Sequence, residues 1–428
     1  MTGIRVSTLK NGLRVASDAM DSVETISVGV WIEAGSRYES SSISGISHFL
    51  EHMVFKGTRR RNARAIAEEI EAVGGHLNAH TSREYTAFYA KILKENLSLA
   101  IDIIADILQD ATLDNGELGR ERTVILQEIM QAQDTPDDII FDRFQETAFP
   151  QQALGRPVLG SPDRIEAMTR DVLQGYMREH YGAPRMILSA AGRVDHDTLV
   201  ALAEKAFDRL PHAVGAEREP ARYRGGDYRE ERDLEQVHIV LGFEGLNYRD
   251  PDYYALSVLS TLLGGGMSSR LFQEAREKRG LVYSIYSFPS SYSDTGVFGI
   301  YAGTGEEEAE KLLPLVCEEL GKLAKEIGEA EIDRARAQLR AGMLMSLEST
   351  SARCEQLARQ LMVFGRSVPI AESVERIAAV DRSAVVRTAE RILVSPPTLA
   401  TIGPIKRLAA YSELTSWLAQ PVTAALNG

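Results

Sequence analysis

Cysteine is nearly missing. Cys317 and Cys354 are the only two in 428 residues, and both fall in stretches patterned as helix. So few exclude a disulfide framework and a thiolate metal cluster. Basic charge is outweighed too: 48 Lys and Arg face 61 Asp and Glu, a formal net charge of −13. That balance speaks against a nucleic-acid partner, whose footprint is a basic stripe. There is no apolar run of about 18 residues to cross a bilayer, so no membrane insertion is expected. The opening MTGIRVSTLKNGLRVAS alternates like a strand. It has neither the apolar core of a signal peptide nor the Arg/Ser bias of a transit segment, and a cytoplasmic setting is the expectation. What remains, 44% hydrophobic and 25% charged residues, fits a globular chain long enough for two domains or more.

The polar stretch 211–226, PHAVGAEREPARYRGG, carries two prolines and ends in Gly-Gly, and it reads as a linker. On its two sides the elements recur in one order. The first half has the β run ETISVGVWIEAGSRYE and then a helix through His48 to Phe55. A second helix follows, with Ile66, Ile70 and Val73 in a stripe stopped by Gly74 and Gly75. The strand-like HLNAHT and EYTAFYAKIL come next, then a helix with Leu97, Ile101, Ile104 and Leu108 on one face. The second half answers with EQVHIVLGFEGLNYRD, PDYYALSVLSTLL, SSRLFQEAREKRG, LVYSIYSF, DTGVFGIYAGT and EEEAEKLLPLVCEEL. The expected fold is α+β: two homologous domains, each a mainly antiparallel sheet packed with helices. Their bounds are 1–212 and 227–428, with 213–226 as linker.

His48-Phe49-Leu50-Glu51-His52 carries the chemistry. Residues four apart on a helix share a face, so His48 and His52 can offer two imidazole nitrogens to one ion. Glu51 lies beside them, able to take a proton from a water without ligating. Zinc would lower that water's pKa toward about 7. The competing reading is a surface His/Glu pair. A catalytic zinc site wants three protein ligands and an open position. Glu128, in the helical LGRERTVILQEIMQAQ, can be the third. Glu121 precedes it by nearly two turns and shares its face, as a carboxylate able to orient a ligand. His76 and His80 do not make a second site: on a strand they lie roughly 13 Å apart at about 3.3 Å per residue.

With these residues the chain resembles the mitochondrial-processing-peptidase branch of the pitrilysin/insulysin superfamily, over essentially its whole length. In that family an inverted H-x-x-E-H is followed 76 positions after its last His by a glutamate ligand, as Glu128 follows His52 here. A second glutamate stands seven before it, as Glu121 does. The resemblance implies a zinc-dependent endopeptidase with one Zn2+ per chain, held by His48, His52 and Glu128, with Glu51 and Glu121 catalytic. It makes His76-Leu77-Asn78-Ala79-His80-Thr81 an edge strand that pairs with the substrate, Asn78 and Ala79 flanking the scissile bond. It gives Arg276 and Tyr283 a role at the negative charge that develops on the substrate. Gly264, Gly265 and Gly266 resemble the glycine-rich loop of the family's non-catalytic subunit, and no G-K-[ST] follows to make them a phosphate loop. Since one chain carries both features, as in bacterial single-chain relatives, the resemblance implies a homodimer of clamshell type.

In the same family, acidic residues after the third ligand hold an arginine two residues before the cut. The matching positions here are Asp138 and Asp142, four apart on a helix. Their competing reading is an acidic helix start. The expected substrate is an unfolded or presequence-like peptide. The alternative function is a non-catalytic structural or partner subunit of the same fold, although such subunits have typically lost the His/Glu motif that is entire here.

Overall fold

The computed structural model describes residues 3–426. Its strands are β1 (Ile4–Thr8), β2 (Arg14–Ala19), β3 (Thr25–Ile32), β4 (His76–Thr81), β5 (Thr86–Leu93), β6 (Met186–Gly192), β7 (Gly226–Glu231), β8 (Val237–Glu244), β9 (Val282–Ser291), β10 (Gly296–Thr304) and β11 (Thr398–Gly403). They form two sheets, ordered β1-β2-β6-β3-β5-β4 and β7-β11-β8-β10-β9. β6 runs parallel to β2, and β11 parallel to β7. The other neighbours are antiparallel. In both sheets the last strand inserts behind an early one, so β3, β5 and β4 correspond in order to β8, β10 and β9. The rhythm of the two halves is therefore a repeat of topology, and the fold is mixed α and β.

The chain forms two compact units. The first holds the chain up to Gln131, Arg156–Glu219 and Leu344–Pro369; the second holds Ala132–Gly155, Pro220–Met343 and the chain from Ile370 on. The main division falls inside the stretch read as a linker, where 211–225 form no regular element. Each unit also takes in a helical segment from the opposite half of the sequence.

The reason lies in the strands. β3 reads TISVGVWI and is buried on both faces, as a central strand covered on both sides must be. Its Ile26, Val28, Val30 and Ile32 belong to the main core of the first unit, with helices α1 (Ile46–Val54), α2 (Ala63–Glu71) and α3 (Leu97–Asp110). Trp31 faces the other way, and with Ala16, Ala87, Ile187 and Ala191 it packs against Cys354, Leu357, Ala358 and Leu361 of the helix Thr350–Phe364. The Ser27 hydroxyl lies 2.8 Å from that of Thr350. The second sheet repeats this. Ile239, Leu241 and Phe243 face one core. Val240, Tyr301, Ala400 and Ile402 face Ile140 and Phe144 of α5 (Pro136–Ala148), which follows α4 (Asn115–Gln133). No helix among the described residues is long and apolar enough to cross a membrane.

Candidate metal centre

α1 is held by its amino end. Gly45 precedes it at φ +94°, where a Cβ would meet Leu159 O at 2.8 Å. The buried Glu39 carboxylate accepts from the N–H groups of Gly45 at 2.7 Å and Ser47 at 2.9 Å. This satisfies donors that a helix start leaves open. Ile46, Phe49, Leu50, Met53 and Val54 face the core, and this turns His48, Glu51 and His52 to the other side.

There the spacing acts as read. The His48 and His52 rings are 4.7 Å apart at 65°, and each Nε2 lies 3.6 Å from Glu128 Oε2 of α4. The candidate donor atoms of His48, His52 and Glu128 all fall within 4.8 Å of one another. Burial, and then His52, lowers the His48 pKa to about 3, so its ring is neutral and free to ligate. Two imidazoles and one carboxylate, half open to solvent, are the donor set that catalytic zinc takes. The residues fit that metal.

The supporting residues converge as well. Glu121 is buried on the inward face of α4 beside Leu118 and Ile125. Its Oε2 lies 3.1 Å from His52 Nδ1, and its Oε1 takes Lys56 Nζ at 2.8 Å. The bond at Nδ1 leaves Nε2 as the nitrogen that faces Glu128. Thr81, at the end of β4, donates its hydroxyl to Glu51 Oε2 at 2.6 Å. Burial raises the Glu51 pKa, and the Thr81 hydroxyl and His52 work against that rise. From the sequence Lys56 has no role, and Thr81 has only a place at the end of the edge strand, not one beside Glu51. Lys56 had a signal, since it stands one helical turn after His52. Thr81 had none, because its partner is 30 positions away.

β4 is the edge of the first sheet, bonded to β5 alone. Asn78 is exposed and Ala79 buried. Asn78 Oδ1 accepts from the Ala79 N–H at 2.8 Å, so a displaceable side chain occupies one main-chain donor of this strand.

The remaining site residues lie in the second unit. Arg276 sits in the π-helical turn Phe272–Glu277, an irregularity frequent at functional sites. Its guanidinium stacks 4.9 Å from the Phe272 ring centroid and 5.3 Å from that of Tyr283. Tyr283 falls where the β9–β10 register shifts between Gly303 and Thr304, and it is 76% exposed. The bulge turns the ring out of the strand's alternation. Gly264 and Gly265 close the helix Tyr253–Gly264; a Cβ on Gly264 would meet the backbone N of Ser287 at 2.3 Å, so its bareness lets the helix end approach β9. A Cβ on Gly266 would touch only Gln338 Nε2, at an ordinary 3.7 Å. On α5, Asp138 is exposed and Asp142 half-buried.

Two family models match the chain. Residues 14–162 match the family described as insulinase, peptidase family M16, and residues 167–339 match the M16 domain described as inactive. An uncharacterized zinc protease of Rickettsia felis is 42% identical over 400 residues, covering 93% of this chain and 97% of that one. A probable mitochondrial-processing peptidase subunit beta of Arabidopsis thaliana is 41% identical, over 96% of this chain and 80% of its own length. Among solved structures, a protease from Helicobacter pylori superposes with a TM-score of 0.88 at 27% identity, covering 94% of this chain and all of that one. The chain thus belongs to the M16 peptidase family, in the branch that resembles the processing peptidases.

Proposed function

We propose that the chain is a zinc endopeptidase that cuts unfolded peptides. The observation that carries this is the meeting of His48, His52 and Glu128 within 4.8 Å, next to a Glu51 carboxylate fixed at one oxygen by Thr81. A zinc ion held by these three residues supplies a Lewis acid that makes water nucleophilic near neutral pH and polarises a peptide carbonyl. Glu51 takes the proton of the attacking water on the oxygen that Thr81 leaves free and passes it to the departing amine. A carboxyl whose pKa burial has raised is suited to both halves of that transfer. Glu121 orients His52, and Lys56 balances its charge.

The peptide adds as a strand to the edge of β4, displacing Asn78 from the Ala79 N–H, with these two residues flanking the cut. The rest of the reading is carried by the family resemblance. Arg276 and Tyr283 serve the negative charge that forms on the substrate. Gly264, Gly265 and Gly266 guide the peptide, and Asp138 with Asp142 hold an arginine two residues before the cut. The first half is the catalytic domain and the second supplies substrate contacts. Two copies form a cytoplasmic homodimer.

The test is metal content and cleavage of an Arg-containing fluorogenic peptide by the wild type and Glu51→Gln. The expected result is one zinc per chain in both proteins, with cleavage at least 1,000-fold lower in the variant, of the order a general base and its water positioning contribute. A wild type that binds no zinc, or a Glu51→Gln that cuts as well as the wild type, overturns the reading. The non-catalytic subunit would then take its place.

A further inference from the structure

α1 opens on Gly45 and so has no side chain of its own to cap it. A helix start is ordinarily closed by a neutral Ser, Thr or Asn, or by an Asp in contact with water. Here the cap comes from six residues upstream, and it is a carboxyl in the interior: Glu39 is 3% exposed. Its two oxygens each accept one main-chain N–H, from Gly45 at 2.7 Å and from Ser47 at 2.9 Å. Acceptance at both oxygens suits the ionised form. Burial raises the Glu39 pKa, and those N–H groups and the Ser47 hydroxyl work against that rise. The same hydroxyl is held in turn, 3.0 Å from that of Tyr176. Among the described residues the carboxylate has no ion pair, and Arg156 donates instead to the main-chain oxygen of Glu39.

Capping alone does not account for a charge in this place. Taking a carboxylate out of water without a counter-ion is disfavoured, and a neutral side chain would satisfy the same donors. What the charge adds is its field. His48 stands within one turn, and His52 within two, of the N–H groups that Glu39 binds. A helix start is a positive end, which repels a dication held by these rings. The Glu39 charge opposes that repulsion and attracts the dication.

We infer that Glu39 is a positioning residue of the metal centre: it fixes the start of α1 and, through its charge, strengthens the hold of His48, His52 and Glu128 on zinc. The inference rests on the reading of those three residues as zinc ligands.

The test is the zinc affinity of the full-length protein, by competition with a chromophoric chelator, beside urea unfolding of the zinc-free protein. Glu39→Gln keeps the length of the side chain and removes the charge. Glu39→Asp keeps the charge and shortens the reach. Both are expected to lower the stability of the zinc-free protein, as the loss of a cap does. Glu39→Gln is expected to bind zinc roughly tenfold to a hundredfold more weakly, and Glu39→Asp to stay within about threefold of the wild type. The larger change is the size of the attraction between a unit charge and a dication on the order of 10 Å apart, at an effective dielectric constant between about 20 and 80. Arg156→Gln, which removes a positive charge beside Glu39, is expected to tighten zinc binding, a direction that no loss of stability produces. It decides the matter also where Glu39→Gln does not fold. Unchanged affinity in Glu39→Gln, equal weakening in Glu39→Gln and Glu39→Asp, or no tightening in Arg156→Gln overturns the role of Glu39 and leaves the zinc site standing. A wild type that binds no zinc overturns both.

Discussion

Thr81 shows what one hydroxyl does at this centre. It binds a single oxygen of Glu51 at 2.6 Å, which fixes the carboxylate plane and decides which oxygen meets the water. Hydrogen bonds to charged groups contribute about 1.5–3 kcal/mol. Thr81→Val is therefore expected to lower kcat by about tenfold or more while zinc content stays at the wild-type level. A loss of zinc instead would mean that Thr81 supports the ligands rather than the base. Away from the centre, His180 is buried, stacked on Tyr176 at 4.1 Å, with no partner for Nδ1. Burial, and then Arg185, lowers its pKa from 6.5 to about 4. The unfolded chain therefore takes up this proton first. The ring's contribution to stability is complete above pH 6.5 and is lost as the pH falls toward 4. His180→Phe should flatten that part of the stability curve, measured by urea unfolding at several pH values. An unchanged slope would assign the acid loss to other groups.

At the scale of elements, the helix Thr350–Phe364 has the largest unread role. In the sequence it is a helical run without chemistry. Its apolar Leu357, Ala358 and Leu361 point to some sheet, but nothing in their spacing says which one. The site residues were legible because their spacing is local: His48 and His52 are one turn apart, Glu121 and Glu128 nearly two. The strands were legible because β3 and β8 are largely apolar runs rich in β-branched residues. What escaped was long-range pairing, such as Thr81 with Glu51 and Leu357 with the surroundings of Trp31. Leu357 is 2% exposed, and truncating a buried leucine costs about 2–5 kcal/mol. Leu357→Ala should destabilise the first unit by that amount and shift the emission of Trp31, which lies in the same cluster. A surface-like cost below about 0.5 kcal/mol would mean that the helix does not sit on this sheet.

For the whole molecule, a metal bound only by the folded first unit adds stability in proportion to the logarithm of its free concentration. At 100 times the dissociation constant that gain is about 2.7 kcal/mol. Removing zinc with a chelator should lower the melting temperature, and Glu128→Ala should lower the zinc-saturated value toward the chelated one. Equal melting curves with and without chelator would contradict a metal held by these three residues.

The composition of the two units also sets an order of events during synthesis. The last strand of the first sheet, β6, ends at Gly192, but the helix that covers the sheet's other face is complete only at Phe364. At about 5–20 residues per second the ribosome needs on the order of ten seconds or more to cover that gap. Through that interval the nascent chain carries a sheet whose Trp31, Ile187 and Ala191 side still lacks its cover. The amino-terminal half thus completes its own core only after most of the carboxy-terminal half has been made, and a stalled or truncated product would present that bare face to chaperones.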